Sequence, residues 1–412
     1  MSAASFVGLI YITLVMIGVG LGNATQILVA RRKGEGDFNS AGQVTGNAFW
    51  MALVVALFQF IALTQILPGI IQHTIKSNEV RSYMMEFIDY RSYGFFFYSL
   101  TLVLNSFWSG IAYTRVMIYT TIITASVTIL LDYGLVFGNL GLPNMGMAGA
   151  ALATSIAEAC AFLFLLIYTL YQYDHQHKKS SAENSSSYNL KKWLPSFNSA
   201  HTFSLIKLGG PIALQMVASL GIWVIFYEFV EDMGERELQS AFIVRNMYML
   251  AYVSVGGFST TTKTYISGLI AEKRQTELHL VMRKMMILNL VGIFFLSHGL
   301  WLYPEWIAEM FTTDPLVISQ TVQSMHIVLP AMMTFAITSI LLSTVEGSGN
   351  TIAGFIVEFI TVILYIAAAW LMVYELKWPI HLVWTADYVY FLMLGVFSLA
   401  YLWNGKWKYK VI

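Results

Sequence analysis

Eleven stretches of this chain are long and apolar enough to cross a hydrocarbon core of roughly 30 Å as helices, which leaves few folds open to it. They are 5–30, 46–71, 93–113, 116–137, 147–171, 203–230, 238–268, 285–303, 316–345, 352–373 and 382–403. In lipid every backbone amide needs an internal partner, so such stretches are helices rather than open strands. The fold class expected is an all-α polytopic membrane protein. Composition agrees, with 57% hydrophobic and 11% charged residues, against about a quarter charged in soluble chains. The 23 basic and 23 acidic residues balance, which removes a charge-based case for nucleic acid as a partner. The single cysteine, Cys160, lies in an apolar run and reads as a small core residue, with no disulfide or thiolate metal cluster implied. The first apolar stretch lacks the charged lead and small-residue cleavage site of a signal peptide.

Basic residues outside the spans set the orientation. One set of loops, with the tail, holds fifteen of them: Arg31, Arg32, Lys33, Arg115, Lys178, Lys179, Lys191, Lys192, Lys273, Arg274, Arg283, Lys284, Lys406, Lys408 and Lys410. The opposite set holds five, Lys76, Arg81, Arg91, Arg236 and Lys377. The first set is expected in the cytoplasm, and the C-terminus with it. An odd number of spans then puts the N-terminus outside, an unfavourable start for an uncharged leading segment.

An internal repeat bears on this. At an offset of 237, the separation of Gly20 from Gly257, Thr25 meets Thr262, Glu35 meets Glu272 and Val80 meets Val317. The same offset pairs Leu104 with Leu341, Ser106 with Ser343, Gly110 with Gly347, Thr114 with Thr351, Ile123 with Ile360, Thr124 with Thr361 and Ile129 with Ile366. The first five spans thus correspond to the seventh through eleventh, and the counterpart of the sixth would precede Met1. The expectation is two pseudo-repeated helix bundles, five plus six spans here, from a six-plus-six plan whose first helix is missing. The lobes are expected at 1–171 and 201–412, joined by a polar cytoplasmic linker at 172–200. His175 and His177 of that linker lack further ligands at metal-binding spacing. Parallel repeats of this kind are a transporter plan with the substrate between the lobes.

The run LDYGLVFGNLGLPNMGMAGAALATSIAE, 131–158, resembles the signature between the fifth and sixth helices of the MATE (multidrug and toxic compound extrusion) family. GLGNATQILVARRKGEGD, 20–37, resembles the end of that family's second helix and its cytoplasmic loop, and the run from Pro211 through Gly234 to Arg245 adds to the likeness. The resemblance covers nearly the whole chain and implies a six-plus-six fold. It implies an antiporter in the inner membrane that exports organic, often cationic, compounds in exchange for protons or sodium. It also makes the first helix here the family's second. Two positions depart from the family pattern. The family's first helix, which commonly carries an acidic residue of the N-lobe cation site, is missing, and Thr128 stands where an Asn often precedes the fifth-helix Asp.

Ionisable groups inside a span are expensive and so are functional candidates. Asp132 lies in the outer half of the fourth span with Thr128 four residues earlier on the same face, a carboxylate and hydroxyl suited to a proton or, with more oxygens, sodium. A structural Asp near a helix end is the rival reading. Glu158, near the middle of the fifth span, could attract cationic substrates or share protons with Asp132. Arg245, two turns inside the seventh span, calls for an acidic partner, and Glu228 and Asp387 are the reachable ones. Glu358 is expected apart from that cluster, lining the inner cavity. Lys207 and Lys263 are expected to snorkel to the cytoplasmic interface. Pro330 and Gly256-Gly257 mark candidate bending points, and the aromatic content of 15% could supply cavity walls as well as interfacial belts.

The nearest rival in transport is a flippase for lipid-linked oligosaccharides, which would need several basic residues in its cavity, and a truncated transporter without activity is another. A membrane-embedded enzyme would need a compact catalytic cluster, and His298 and His326 stand alone. No enzymatic activity and no cofactor beyond the coupling ion are expected, and the partners foreseen are the lipid bilayer and a small organic substrate, with the protein a monomer.

Overall fold

The computed structural model describes the backbone of residues 3–75, 77–180 and 198–412, and among these it is helical with no strand. Two compact units are present, Met1–Ala213 and Leu214–Ile412. Unit 1 holds α1 (Ala3–Gly34), α2 (Phe38–Ile61), α3 (Leu67–Thr74), α4 (Asn78–Gly110), α5 (Arg115–Leu135), α6 (Gly146–Ser180) and the first part of α7 (Ser199–Met233). A π-helical turn, Ala62–Ile66, runs α2 into α3. Unit 2 holds the rest of α7, then α8 (Glu235–Ala271), α9 (Leu278–Ser297) and two short helices, α10 (Gly299–Leu302) and α11 (Pro304–Glu309). It closes with α12 (Pro315–Gly347), α13 (Thr351–Trp370), α14 (Ile380–Val383) and α15 (Ala386–Trp403).

Ten helical segments of the described residues are long and apolar enough to cross a membrane, and they coincide with ten of the expected stretches. The remaining one, 93–113, is the second half of α4, whose first half carries Glu79, Arg81, Glu86, Asp89 and Arg91. Ser77 starts this helix by accepting a hydrogen bond from the Val80 amide at 3.4 Å. Arg91, counted above with the loops, is therefore a helical residue, and it is buried. α6 runs past its expected end to Ser180, and the rest of the expected linker, 181–197, lies outside the described residues, as do the side chains of His175 and His177.

The repeat is visible in the backbone as well as in the letters. α4 and α12 are both 33 residues long, and the offset of 237 carries Asn78–Gly110 onto Pro315–Gly347. It also carries the Ser77 cap onto Asp314, which accepts from the Leu316 amide at 2.9 Å. The ends of α1 and α8, Gly34 and Ala271, correspond. So do the left-handed residues that follow: Gly36 (φ 76°) with Lys273 (φ 60°), and Ala112 (φ 59°) with Gly349 (φ 90°).

Helix association in lipid rests on close packing rather than on expulsion of water, so small residues mark the tightest contacts. A Cβ on Gly110 would lie 2.9 Å from the Gln26 carbonyl oxygen, and one on Gly347 would lie 3.0 Å from that of Lys263. Gln26 and Lys263 are again related by the repeat offset, so one glycine-on-backbone crossing is built twice. The boundary between units falls inside α7, because its first part is tied to unit 1. A Cβ on Gly20 would meet the Gly209 carbonyl oxygen at 2.6 Å and the Ala213 side chain at 2.7 Å. Asn47 Oδ1 accepts from the Asn198 amide at 2.9 Å. α8 and α12 continue as helices through Gly256-Gly257 and Pro330.

Candidate functional site

Unit 2 holds a small, partly open cavity of about 30 Å³ lined by Ser219, Ile222 and Trp223 of α7, Tyr248 and Tyr252 of α8, Tyr365 of α13, and Asp387, Tyr390 and Phe391 of α15. Roughly 10–15 Å³ suffices for one water, so this space admits water or a small ion. The aromatic wall follows from helical spacing: Tyr248 and Tyr252 are one turn apart, and the Tyr390 and Phe391 side chains meet the rings of α13 and α8. The Tyr365 and Tyr390 rings stand edge to face with centroids 5.9 Å apart, and Tyr248 stacks on Phe391 at 6.5 Å.

Asp387 enters this wall in the first turn of α15 and is only 6% exposed. Its carboxylate lies near the Tyr365 hydroxyl, and Oδ2 is buried with no hydrogen-bond partner. Glu358, 2% exposed, does not line the cavity; it sits behind the wall. Two residues that do line it, Ser219 and Tyr390, both donate their hydroxyl hydrogens to Glu358 Oε1. Among the described residues neither carboxylate forms an ion pair. A carboxyl group so placed either carries a proton or holds a cation.

The sequence set Glu358 apart from Asp387, and in the structure only Asp387 lines the cavity, while Glu358 is bonded to two of its other lining residues, Ser219 and Tyr390. Tyr390 of α15 donates to Glu358 of α13, a tertiary contact that span counting does not register. Arg245, in turn, does not pair with Glu228 or Asp387. Its guanidinium lies over the rings of Trp223 (5.8 Å) and Tyr227 (5.4 Å), a cation–π arrangement that takes the place of a carboxylate. Glu228 is exposed on α7.

In unit 1, Glu158 is held by Arg91, with Nη1 and Nη2 each 2.7 Å from one carboxylate oxygen. The guanidinium also lies over the rings of Tyr11 and Phe95. Glu158 thus meets Arg91 rather than Asp132. Asp132 and Thr128 are half-buried one turn apart on α5, and Asp132 Oδ1 is buried without a partner. Lys263 does not snorkel: it is 6% exposed and its Nζ is 2.6 Å from Glu346. Lys207 is exposed.

Sequence reasoning missed Arg91, Glu346, Ser219 and Tyr390. The first was filed with the loops, the second ends an apolar run and reads as interfacial, and the last two carry no charge. The repeat offers a signal for the pairs. At the offset of 237, Arg91 and Glu158 correspond to Val328 and Gly395, and Lys263 and Glu346 correspond to Gln26 and Ser109. Both members of each ion pair are present in one unit and absent from the other. No group of three or more His, Cys, Asp or Glu placed to hold a metal occurs among the described residues.

The MatE family model matches residues 1–134 and 211–371. A probable multidrug resistance protein NorM of Thermotoga maritima is 22% identical over 405 residues, which cover 97% of this chain and 83% of that protein. A probable multidrug resistance protein NorM of Agrobacterium fabrum is 25% identical over 322 residues, 76% of this chain and 65% of that protein. Among solved structures, a MOP superfamily transporter of Pyrococcus furiosus superposes with a TM-score of 0.85 at 15% identity, covering 99% of this chain and 88% of that one. The Vibrio cholerae MATE transporter VcmN in its bent form gives 0.80 at 16% identity, covering 99% of this chain and 90% of that one. These likenesses place the fold.

Proposed function

This chain belongs to the MatE family, and from that membership we propose that it is a cation-coupled antiporter exporting organic, often cationic, compounds across the inner membrane, with its C-terminus in the cytoplasm. The names of the relatives in Thermotoga and Agrobacterium as probable multidrug resistance proteins support export of foreign compounds. The excess of basic residues on one set of loops supports the orientation.

The observation that carries the coupling is Asp387, a buried carboxylate with an unpartnered oxygen in the wall of a small cavity. A proton or sodium ion entering there would meet Asp387 first and Glu358 behind it. Asp132, with Thr128, is the corresponding candidate in unit 1, and its unpartnered Oδ1 keeps it in play. An anionic lipid-linked cargo is disfavoured, since the buried cations Arg91 and Lys263 are already matched by Glu158 and Glu346. The protein is expected to act as a monomer, with no cofactor beyond the coupling ion.

The test is efflux of a cationic dye from proteoliposomes under imposed proton or sodium gradients. Asp387→Asn is expected to lose gradient-driven efflux while still equilibrating dye down its own gradient. Undiminished gradient-driven efflux in that variant overturns the assignment of Asp387.

A further inference from the structure

We propose that the end of unit 2 where α9 begins and α15 ends is a binding site for the headgroup of an anionic phospholipid, held by His279 and Arg283 of α9 and by Lys406 and Lys408 of the segment after α15. The inference concerns the lipid around the protein and does not depend on which compound or ion is carried. Charge is lopsided at this end. Residues 272–284 and 404–412 hold seven lysines and arginines against two glutamates, Glu272 and Glu277. Both glutamates are taken by Arg274, at 2.8 and 2.6 Å. Arg283 and Lys406 are exposed and form no ion pair among the described residues.

The segment after α15 is fixed against the helices. Trp407, in a short helical turn over Lys406–Tyr409, is buried in one cluster with Leu278 and Met282 of α9 and Leu402 of α15. Its indole N–H donates to the Leu402 carbonyl oxygen at 2.9 Å, and Ile412 lies against Gly349. Trp407 in turn places its neighbour: Lys408 Nζ is 5.7 Å from the centre of the Trp407 ring and 2.8 Å from His279 Nε2. An ammonium group only donates, so His279 Nε2 accepts, and the neutral ring carries its hydrogen on Nδ1. The His279 Nδ1–H and the other hydrogens of Lys408 then meet at one point as donors, and a phosphate supplies charged acceptors for them.

Beneath the cations the surface suits acyl chains. On α9, Arg283 shares an exposed face with Ile287, Val291 and Phe294. On α15, the exposed Leu392, Val396, Leu399 and Trp403 follow one another at helical spacing, and Trp403, 91% exposed, stands just before Lys406. An apolar stripe, an aromatic residue and then a lysine match the order in which a phospholipid presents its chains, its interfacial region and its phosphate. The repeat supplies an independent observation. At the offset of 237, Gly36, Asp37, Gly46 and Asn47 stand for Lys273, Arg274, Arg283 and Lys284, while Thr169, Tyr171 and Tyr173 stand for the three tail lysines. Unit 1 builds the same helices without these cations, so the fold does not require them.

Native mass spectrometry of the full chain, released from nanodiscs of equal parts phosphatidylglycerol and phosphatidylcholine, tests the site, with the melting midpoint in detergent titrated with each lipid as a second readout. The unaltered protein is expected to retain phosphatidylglycerol in preference. Arg283→Gln with Lys406→Gln and Lys408→Gln should weaken phosphatidylglycerol binding roughly fivefold per charge removed, on the order of a hundredfold in all, with phosphatidylcholine binding unchanged. Lys406→Gln alone, at an exposed position, carries the test at its single fivefold step if the triple variant unfolds. Arg115→Gln with Lys207→Gln and Lys377→Gln removes as many exposed charges elsewhere and should bind phosphatidylglycerol as the unaltered protein does. Equal loss in the two triple variants, or equal retention of the two lipids by the unaltered protein, overturns the site. Inorganic phosphate that raises the melting midpoint as far as phosphatidylglycerol does overturns the lipid as its ligand.

Discussion

Arg91 clasps Glu158 through two parallel contacts of 2.7 Å, joining α4 to α6 where both side chains are about one-tenth exposed. Each charge alone would be costly at that depth, and together they satisfy one another in the fork geometry that guanidinium and carboxylate share. Removing one partner leaves a buried charge uncompensated, at a cost of about 3–5 kcal/mol. Glu158→Gln should therefore lower the thermal unfolding midpoint in detergent markedly. Replacing both residues with apolar ones, Arg91→Met with Glu158→Leu, should recover most of that loss. Equal midpoints for the single variant and the unaltered protein would show that the pair does not hold the unit together.

Gly94 lies beneath this pair. A Cβ there would sit 2.1 Å from Arg91 Nη1, 2.7 Å from Glu158 Oε2 and 2.7 Å from Ser155 Oγ. A free arginine could swing aside, but this one is fixed at both nitrogens, so the methyl group must open the ion pair. Gly94→Ala is expected to destabilise nearly as much as Glu158→Gln. Gly69→Ala, also helical but with open space around the added carbon, should be neutral or stabilising by roughly 0.5–1 kcal/mol. Thermal midpoints of the two alanine variants, measured side by side, decide it.

Asp37 gives a pH dependence outside the membrane spans. It caps α2 by accepting from the Ser40 amide at 2.9 Å and from the Ser40 hydroxyl at 2.6 Å. These bonds favour the ionised carboxylate and hold it below its ordinary value of 3.8. The cap's contribution is thus fully present above that ordinary value and is lost as the pH falls through the depressed folded value. Asp37→Ala should cost about 1 kcal/mol at neutral pH, and the difference from the unaltered protein should shrink on acidification toward pH ~3. A difference that stays constant or grows on acidification would contradict the cap.

The fold was largely legible because spans announce themselves by length and apolarity, and the repeat because one offset of 237 carries both residues and helix ends. α4 was misjudged at its start, since Glu79 through Arg91 reads as a loop when charges are tallied singly, whereas the structure carries the helix through them and pairs Arg91 with Glu158. The same limit applied at the site. Asp387 and Glu358 could be named from their rarity inside spans, but the partners of Glu358 are Tyr390 and Ser219, which have no charge to draw attention. Arg245 was assigned a carboxylate because a charge rule sees only charges, whereas Trp223 and Tyr227 meet it with ring faces.

The central claim is that the coupling ion is handled in unit 2, at Asp387. Its most direct test is dye efflux under a fixed imposed ion gradient, measured in the same proteoliposome preparation for Asp387→Asn, Asp132→Asn and the unaltered protein, with dye binding as a control. The account predicts that Asp387→Asn binds dye normally and fails to use the gradient. Gradient-driven efflux that survives in Asp387→Asn and disappears in Asp132→Asn would contradict it and move the coupling to unit 1.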